Sequence, residues 1–236
     1  YHNFIKLLCI FRTKNIQKML IYEMKCQNCN NTNFYILAND YIKCKKCAKK
    51  YSLKKIEKDK QVAISFSQNK NALETSKELQ LNYKTVKDRF DIYRKEIAIY
   101  LENQYNNSVK DNTEYEEFYY IKEREKKKKK KSLSQAINIM GFYSNEKIYT
   151  ILMPKIGKRA FDIEDGFIEY LNWHKIHSKN SYQSKLNEFW KFLEENLKKY
   201  KGVEEENFFF YLKECEFRFN YSQKEQLEII ENLYKI

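Results

Sequence analysis

The spacing of apolar and polar residues changes period along the chain, and each change marks an element. Between Asn30 and Lys43 the stretch NNTNFYILANDYIK reads as a strand, a polar turn and a second strand. From Asn71 to Asn103 apolar residues recur three and four apart, which predicts helices over ALETSKELQ and LNYKTVKDRFDIYRKEIAIYLEN. The first of these stops at the break Leu81-Asn82-Tyr83. Phe208, Phe209, Phe210, Phe217 and Phe219, with Trp190, lie in a helical setting, so core packing is expected before any stacking on bases. The run Phe4–Phe11 is apolar but short and holds Lys6, with no small-residue cleavage pattern behind it. Neither a signal peptide nor a membrane span is expected from it.

Cysteine spacing adds chemistry to the first of these patterns. Cys26-x-x-Cys29 and Cys44-x-x-Cys47 flank the strand-turn-strand stretch, and each pair can present two thiolates to one tetrahedral ion from a tight turn. The arrangement is that of a zinc ribbon. Two disulfides or four unrelated thiols are the competing readings, and both are weak for a chain kept reduced in the cytoplasm. The zinc is expected to be structural, because four thiolates leave no coordination position for a catalytic water. Lys25, Lys43, Lys45, Lys46, Lys49 and Lys50 surround the cysteines as candidate phosphate contacts. Cys9 and Cys215 have no partner motif and read as ordinary buried or free thiols.

The two helices after the ribbon have the layout of a helix-turn-helix, with Leu79 and Val86 at packing positions. Its second helix would carry Tyr83, Lys84, Thr85, Lys87 and Arg89 toward a DNA groove. An amphipathic hairpin is common in any protein, and its place after a zinc ribbon in a basic chain is what favours DNA. The net charge of +13 points the same way, because polyanion binding releases condensed counterions. An acidic membrane surface is the second candidate partner, and an AT-rich coding bias would also enrich lysine. With 33% charged residues and a mean hydropathy of -0.81, an integral membrane protein is excluded and a cytoplasmic location is expected. Four glycines and one proline leave no Gly-rich phosphate loop, so nucleotide-dependent chemistry has no support.

The C-terminal third carries a resemblance. The run FYLKECEFRFN ending at Asn220, preceded by Asn187-Glu188-Phe189-Trp190 and by KYKGV ending at Val203, resembles small bacterial insertion-sequence transposases of the DDE type with an N-terminal zinc ribbon. Upstream, Glu114–Tyr119 looks like that family's first catalytic strand. Ile137–Met153, with a turn at Gly141 and the strand KIYTILM, looks like its next hairpin. The resemblance implies an RNase H-like core of a mixed sheet flanked by helices. It also implies phosphodiester hydrolysis and strand transfer by two divalent cations, Mg or Mn, held about 4 Å apart by acidic side chains.

Matched residue by residue, the resemblance puts Glu116 at the first metal-ligand position, with Glu117 assisting, where the family has Asp followed by Glu. Asp165, within Glu164-Asp165-Gly166, takes the second position and Asn187 the third. His177 matches a downstream His-Ser pair, and Glu194 stands where a Lys is common. The core reads as internally shortened between Pro154 and Asp165. The lysine run Lys126–Lys131 is either a DNA-backbone contact or a solvated tract.

The expectation is therefore an α+β chain: an extension over 1–24 without assigned function, a zinc ribbon over 25–57, a helix-turn-helix segment over 60–107 and a partly degenerate RNase H-like core over 108–236. Double-stranded DNA at element ends is the expected partner, and self-association is left open. A catalytically inactive DNA-binding remnant is the alternative.

Overall fold

The computed structural model describes residues 24–108, 114–122, 136–154, 185–200 and 203–234. It is a mixed α and β chain that divides into two compact units, Tyr1–Tyr93 with Gln223–Ile236, and Arg94–Ser222. No helix among the described residues is long and apolar enough to cross a membrane.

The first unit begins with the antiparallel sheet β1 (Phe34–Ile36), β2 (Tyr41–Cys44) and β3 (Lys50–Ser52), in that order. The expected strand-turn-strand is present, and its turn residues Asn39 and Asp40 have φ of 58° and 60°. Both are left-handed, in a three-residue loop closed by Leu37 N–H donating to the Tyr41 carbonyl at 2.8 Å, and Asn and Asp tolerate that region better than other side-chain-bearing residues. A helix, α1 (Leu53–Ser67), follows directly and was not anticipated, although Leu53, Ile56, Val62, Ala63 and Phe66 are buried at helical spacing.

Two further helices, α2 (Ala72–Glu78) and α3 (Tyr83–Asn107), form the expected hairpin. Asn71 starts α2 with a reciprocal capping box to Glu74. The helix ends at Gln80, whose φ is 52°, and Leu81 N–H returns 2.9 Å to the Ser76 carbonyl. That closure is a Schellman motif built without glycine. Asn82 then caps α3 by accepting from Lys84 N–H at 2.8 Å. Phe66 of α1 meets the rings of Phe90 and Tyr93 of α3 edge-on, at 4.9 and 5.5 Å between centroids. The last helix, α6 (Gln223–Tyr234), belongs to this unit and packs on α1.

In the second unit β4 (Glu114–Tyr120), β5 (Ile137–Ser144) and β6 (Lys147–Leu152) make an antiparallel meander in chain order. One face is covered by α4 (Lys185–Lys199) and α5 (Phe208–Asn220), which close a core around Ile139, Leu186, Phe189, Leu193, Phe208, Leu212 and Cys215. Cys215 is thus a buried thiol, as expected. Trp190, Phe208 and Phe217 are buried too, while Phe209, Phe210 and Phe219 are half-buried.

The hairpin turn expected at Gly141 lies elsewhere. Gly141 is inside β5, opposite Glu116 and Thr150, and the turn is made by Asn145 and Glu146, with φ of 51° and 61°. Glycine serves a different need at 141: a Cβ there would stand 2.5 Å from Cζ2 of Trp190. The benzo edge of the Trp190 indole, on α4, packs against that bare stretch of strand.

Helix α5 also closes the open edge of β6. Glu216 accepts from Thr150 N–H at 2.9 Å, and Lys213 Nζ donates to Thr150 carbonyl at 2.8 Å. Four residues on, Asn220 accepts from Ile148 N–H at 2.8 Å and donates to its carbonyl at 2.6 Å. Four helical residues rise about 6 Å and two strand residues about 6.7 Å, so one helix face keeps step with the outward main-chain groups of the strand. An edge that would otherwise invite another strand is covered by side chains.

Candidate metal centre and nucleic-acid interface

Both cysteine pairs sit in knuckles with the same main-chain pattern. In the first, Asn30 N–H donates to Cys26 carbonyl at 2.8 Å and Cys26 N–H to Asn31 carbonyl at 2.9 Å. In the second, Ala48 N–H donates to Cys44 carbonyl at 3.1 Å and Cys44 N–H to Lys49 carbonyl at 2.9 Å. Closing such a loop needs a left-handed residue after the second cysteine, and Asn30 and Ala48 take φ of 56° and 61°. For Ala48 that conformation is strained, because its Cβ crowds the backbone.

The two knuckles bring all four Sγ atoms within 4.8 Å of one another, with Cys26–Cys47 and Cys29–Cys44 each at 3.5 Å. Tetrahedral zinc with bonds of about 2.3 Å sets its sulfurs about 3.8 Å apart, so the donor set fits such an ion. Cys26 and Cys44 are buried and Cys29 and Cys47 half-buried. Burial opposes ionisation of Cys26, but the Tyr51 hydroxyl and the Asn28 and Cys29 main chain donate to it, and the balance brings it down to about 6. Cys29 moves the other way, to about 12: hydrogen bonding with the Asn31 main chain favours its thiolate, yet burial and the three other thiols outweigh it. Four sulfurs share protons unequally, and a divalent cation bound among them would replace those protons. Tyr51 Oη stands 3.1 Å from Cys26 Sγ, and Asn31 Nδ2 stands 3.5 Å from Cys44 Sγ. Neither contact was foreseen, since nothing in a one-dimensional spacing marks a hydroxyl from β3 as a neighbour of the sulfur.

On α3, Tyr83, Lys84, Thr85 and Lys87 are exposed on the first turns. Lys87 pairs with Asp91 at 2.9 Å on the same helix. Arg89 is half-buried and turned inward, where its guanidinium reaches Asp59 of α1 at 3.1 Å. Burial nevertheless raises the Asp59 carboxyl, against the pull of Arg89 and Lys55.

Of the acids matched to the resemblance, Glu116 lies on the helix-covered face of the meander, in one cross-strand row with Gly141 and Thr150. Trp190 Nε1 donates to its Oε2 at 3.0 Å, while Phe118 stacks on the same indole at 4.7 Å. Asn187 lies one turn before Trp190 on α4, on the same helical stripe. Glu117 points to the opposite face of the sheet, as successive strand residues must, and accepts from Tyr119 Oη at 2.6 Å. Glu188 is exposed and paired with Lys185. Asp165, His177 and the lysine run Lys126–Lys131 lie outside the described residues, as does Cys9.

The words of LKECEFRFN acquire a structural meaning. Glu214 is fully buried between Arg94, at 2.6 Å, and Arg218, at 2.6 Å, and accepts from Tyr200 Oη at 2.9 Å. Burial opposes its charge, but the two guanidinium groups hold the carboxyl down at about 2.

Over 116 residues the chain is 35% identical to an uncharacterized transposase-like protein of Haemophilus influenzae, a match covering 38% of this chain and 94% of that protein. No profile of a known protein family matches. No solved structure matches either.

Proposed function

Because the chain belongs to a family of transposase-like proteins, we propose that it binds double-stranded DNA at the ends of a mobile element, through a zinc-loaded ribbon and the helix pair behind it. The observation that carries this reading is the first two turns of α3. They expose Tyr83, Lys84, Thr85 and Lys87 beyond a capped, tightly closed turn, in the same unit as a cysteine cluster suited to zinc. A rigid helix start with exposed donors suits a major groove. Arg89, tied to Asp59, supports the seat of the helix in this reading and leaves base contact to the other four.

The test is duplex binding by zinc-loaded protein across a salt series. Replacing Lys84 with Gln should lower the salt slope by about one and weaken binding to all sequences. Tyr83→Ala should weaken the preferred sequence more than random DNA. Unchanged binding in both variants would remove α3 from the interface.

A second reading, metal-dependent strand cleavage, is favoured by one contact. The Trp190–Glu116 hydrogen bond draws the Glu116 carboxylate to the helix that carries Asn187. In this reading Glu116, Asp165 and Asn187 hold Mg or Mn, whose role is to activate the attacking oxygen and steady the leaving one. Glutamate in place of aspartate lengthens the first ligand by a methylene, and metal clamps tolerate little displacement. Nicking of supercoiled DNA with Mn, abolished by Asp165→Ala, would establish it. Binding without nicking leaves a DNA-binding protein of transposase origin.

A further inference from the structure

The register of the ribbon sheet sorts its residues into two faces. Phe34, Ile42, Cys44 and Tyr51 form the inner face, packed with the metal-ligating cysteines. The outer face takes the alternate positions: Tyr35 opposite Lys43, Lys43 opposite Lys50, and Tyr41 opposite Ser52. Lys45 continues that face along the chain and sets its ammonium 5.1 Å from the Tyr35 ring centroid. Tyr35 and Tyr41 are 55% and 45% exposed, well beyond what a packed ring needs. None of these six outer positions is acidic, and the neighbouring Asp40 is paired with Lys54 at 3.2 Å. Two open aromatic rings interleaved with three lysines on one side of a sheet match a chain that offers flat bases and phosphates together.

We infer that this outer face binds unpaired nucleotides of single-stranded nucleic acid, with Tyr35 and Tyr41 stacking on bases and Lys43, Lys45 and Lys50 meeting phosphates. A duplex presents its phosphates but hides its base faces, so the tyrosines would have nothing to stack on. The inference adds a single-strand site to the duplex-binding reading and rests on that reading only for nucleic acid as the partner class.

The experiment compares zinc-loaded full-length protein on a mixed-sequence single-stranded oligonucleotide and on the blunt duplex of the same sequence, at fixed salt. Tyr35→Ala/Tyr41→Ala should weaken single-strand binding at least about tenfold and leave duplex binding within about twofold, while Tyr35→Phe/Tyr41→Phe restores the single-strand affinity. Zinc content and circular dichroism verify that the variants fold, and the part of the oligonucleotide-induced fluorescence quenching that disappears in Tyr35→Ala/Tyr41→Ala reports stacking by these two rings. The same loss on both DNA forms, no loss on either, or no such quenching would overturn the inference. Single-strand binding without duplex binding would uphold it and sink the helix-pair reading instead. Duplex binding that responds to Lys84 but no single-strand binding would do the reverse.

Discussion

Asn220 at the end of α5 makes both available main-chain hydrogen bonds of Ile148, at 2.8 and 2.6 Å, and so stands in for a neighbouring strand. Asn220→Ala should cost roughly 1–3 kcal/mol, because it strips a donor and an acceptor from an edge that stays partly buried. Asn220→Asp should cost more than a neutral swap suggests, since a carboxylate would face the Ile148 carbonyl. Urea unfolding with unchanged m-value is the measurement, and a shift smaller than the error of the midpoint would refute the edge-cap role.

Gly141→Ala would place a Cβ 2.5 Å from Trp190 Cζ2 and 3.0 Å from Leu186 Cδ2. Overpacking of this kind costs about 1–3 kcal/mol. Trp190→Phe on top of it should recover part of the loss, giving a favourable coupling in a double-mutant cycle. Additive losses would mean that the strand and indole are not in the contact described.

Acid should expose the Glu214 cluster. Its carboxyl is held at about 2, against an ordinary 4.5, despite burial, so its ion pairs contribute stability above 4.5 that is lost as pH falls toward 2. Glu216 works in the opposite sense, because burial raises its carboxyl. The comparison that isolates Glu214 is therefore unaltered protein minus Glu214→Gln, which should narrow across that window. At neutral pH the substitution leaves Arg94 and Arg218 with one fewer counter-charge and should cost about 3–5 kcal/mol. A pH-independent difference would contradict the assignment.

Relieving the left-handed strain at Ala48 should stabilise the ribbon. Ala48→Gly removes the Cβ clash at φ 61°, and the gain, on the order of 0.5–1 kcal/mol, is reduced by the freer unfolded chain. Asn30→Gly should gain less, because Asn tolerates that conformation. Thermal unfolding of the zinc-loaded forms ranks the two, and the reverse order would be inconsistent with the strain.

If the four cysteines carry zinc as proposed, a chelator should unfold the ribbon, since its buried core is only Met24, Cys26, Ile42, Cys44, Tyr51, Leu53 and Ile56. Tyr51→Phe deletes the hydroxyl at Cys26 Sγ and should weaken zinc binding about 10–100-fold in a chelator competition. An unchanged affinity would make that hydroxyl a bystander.

The sequence by itself determined the parts whose signals are local. Two cysteine pairs at knuckle spacing, one alternating stretch between them and one helical period after them were enough to draw the ribbon and the helix pair. Turn positions were harder to read, because a chain with four glycines gives left-handed positions, among the described residues, to Asn30, Asn39, Asp40, Ala48, Asn69, Gln80, Asn145 and Glu146. The glycine that looked like a turn proved to be a seat for a tryptophan. Only the tertiary structure decided what the C-terminal words mean. Glu214 meets Arg94 across 120 residues and Glu216 meets Thr150 across 66, and no period within a helix encodes a partner so far away. Such pairs exist because a buried charge or an open strand edge is costly in a low-dielectric core, and folding brings to each the distant group that offsets it.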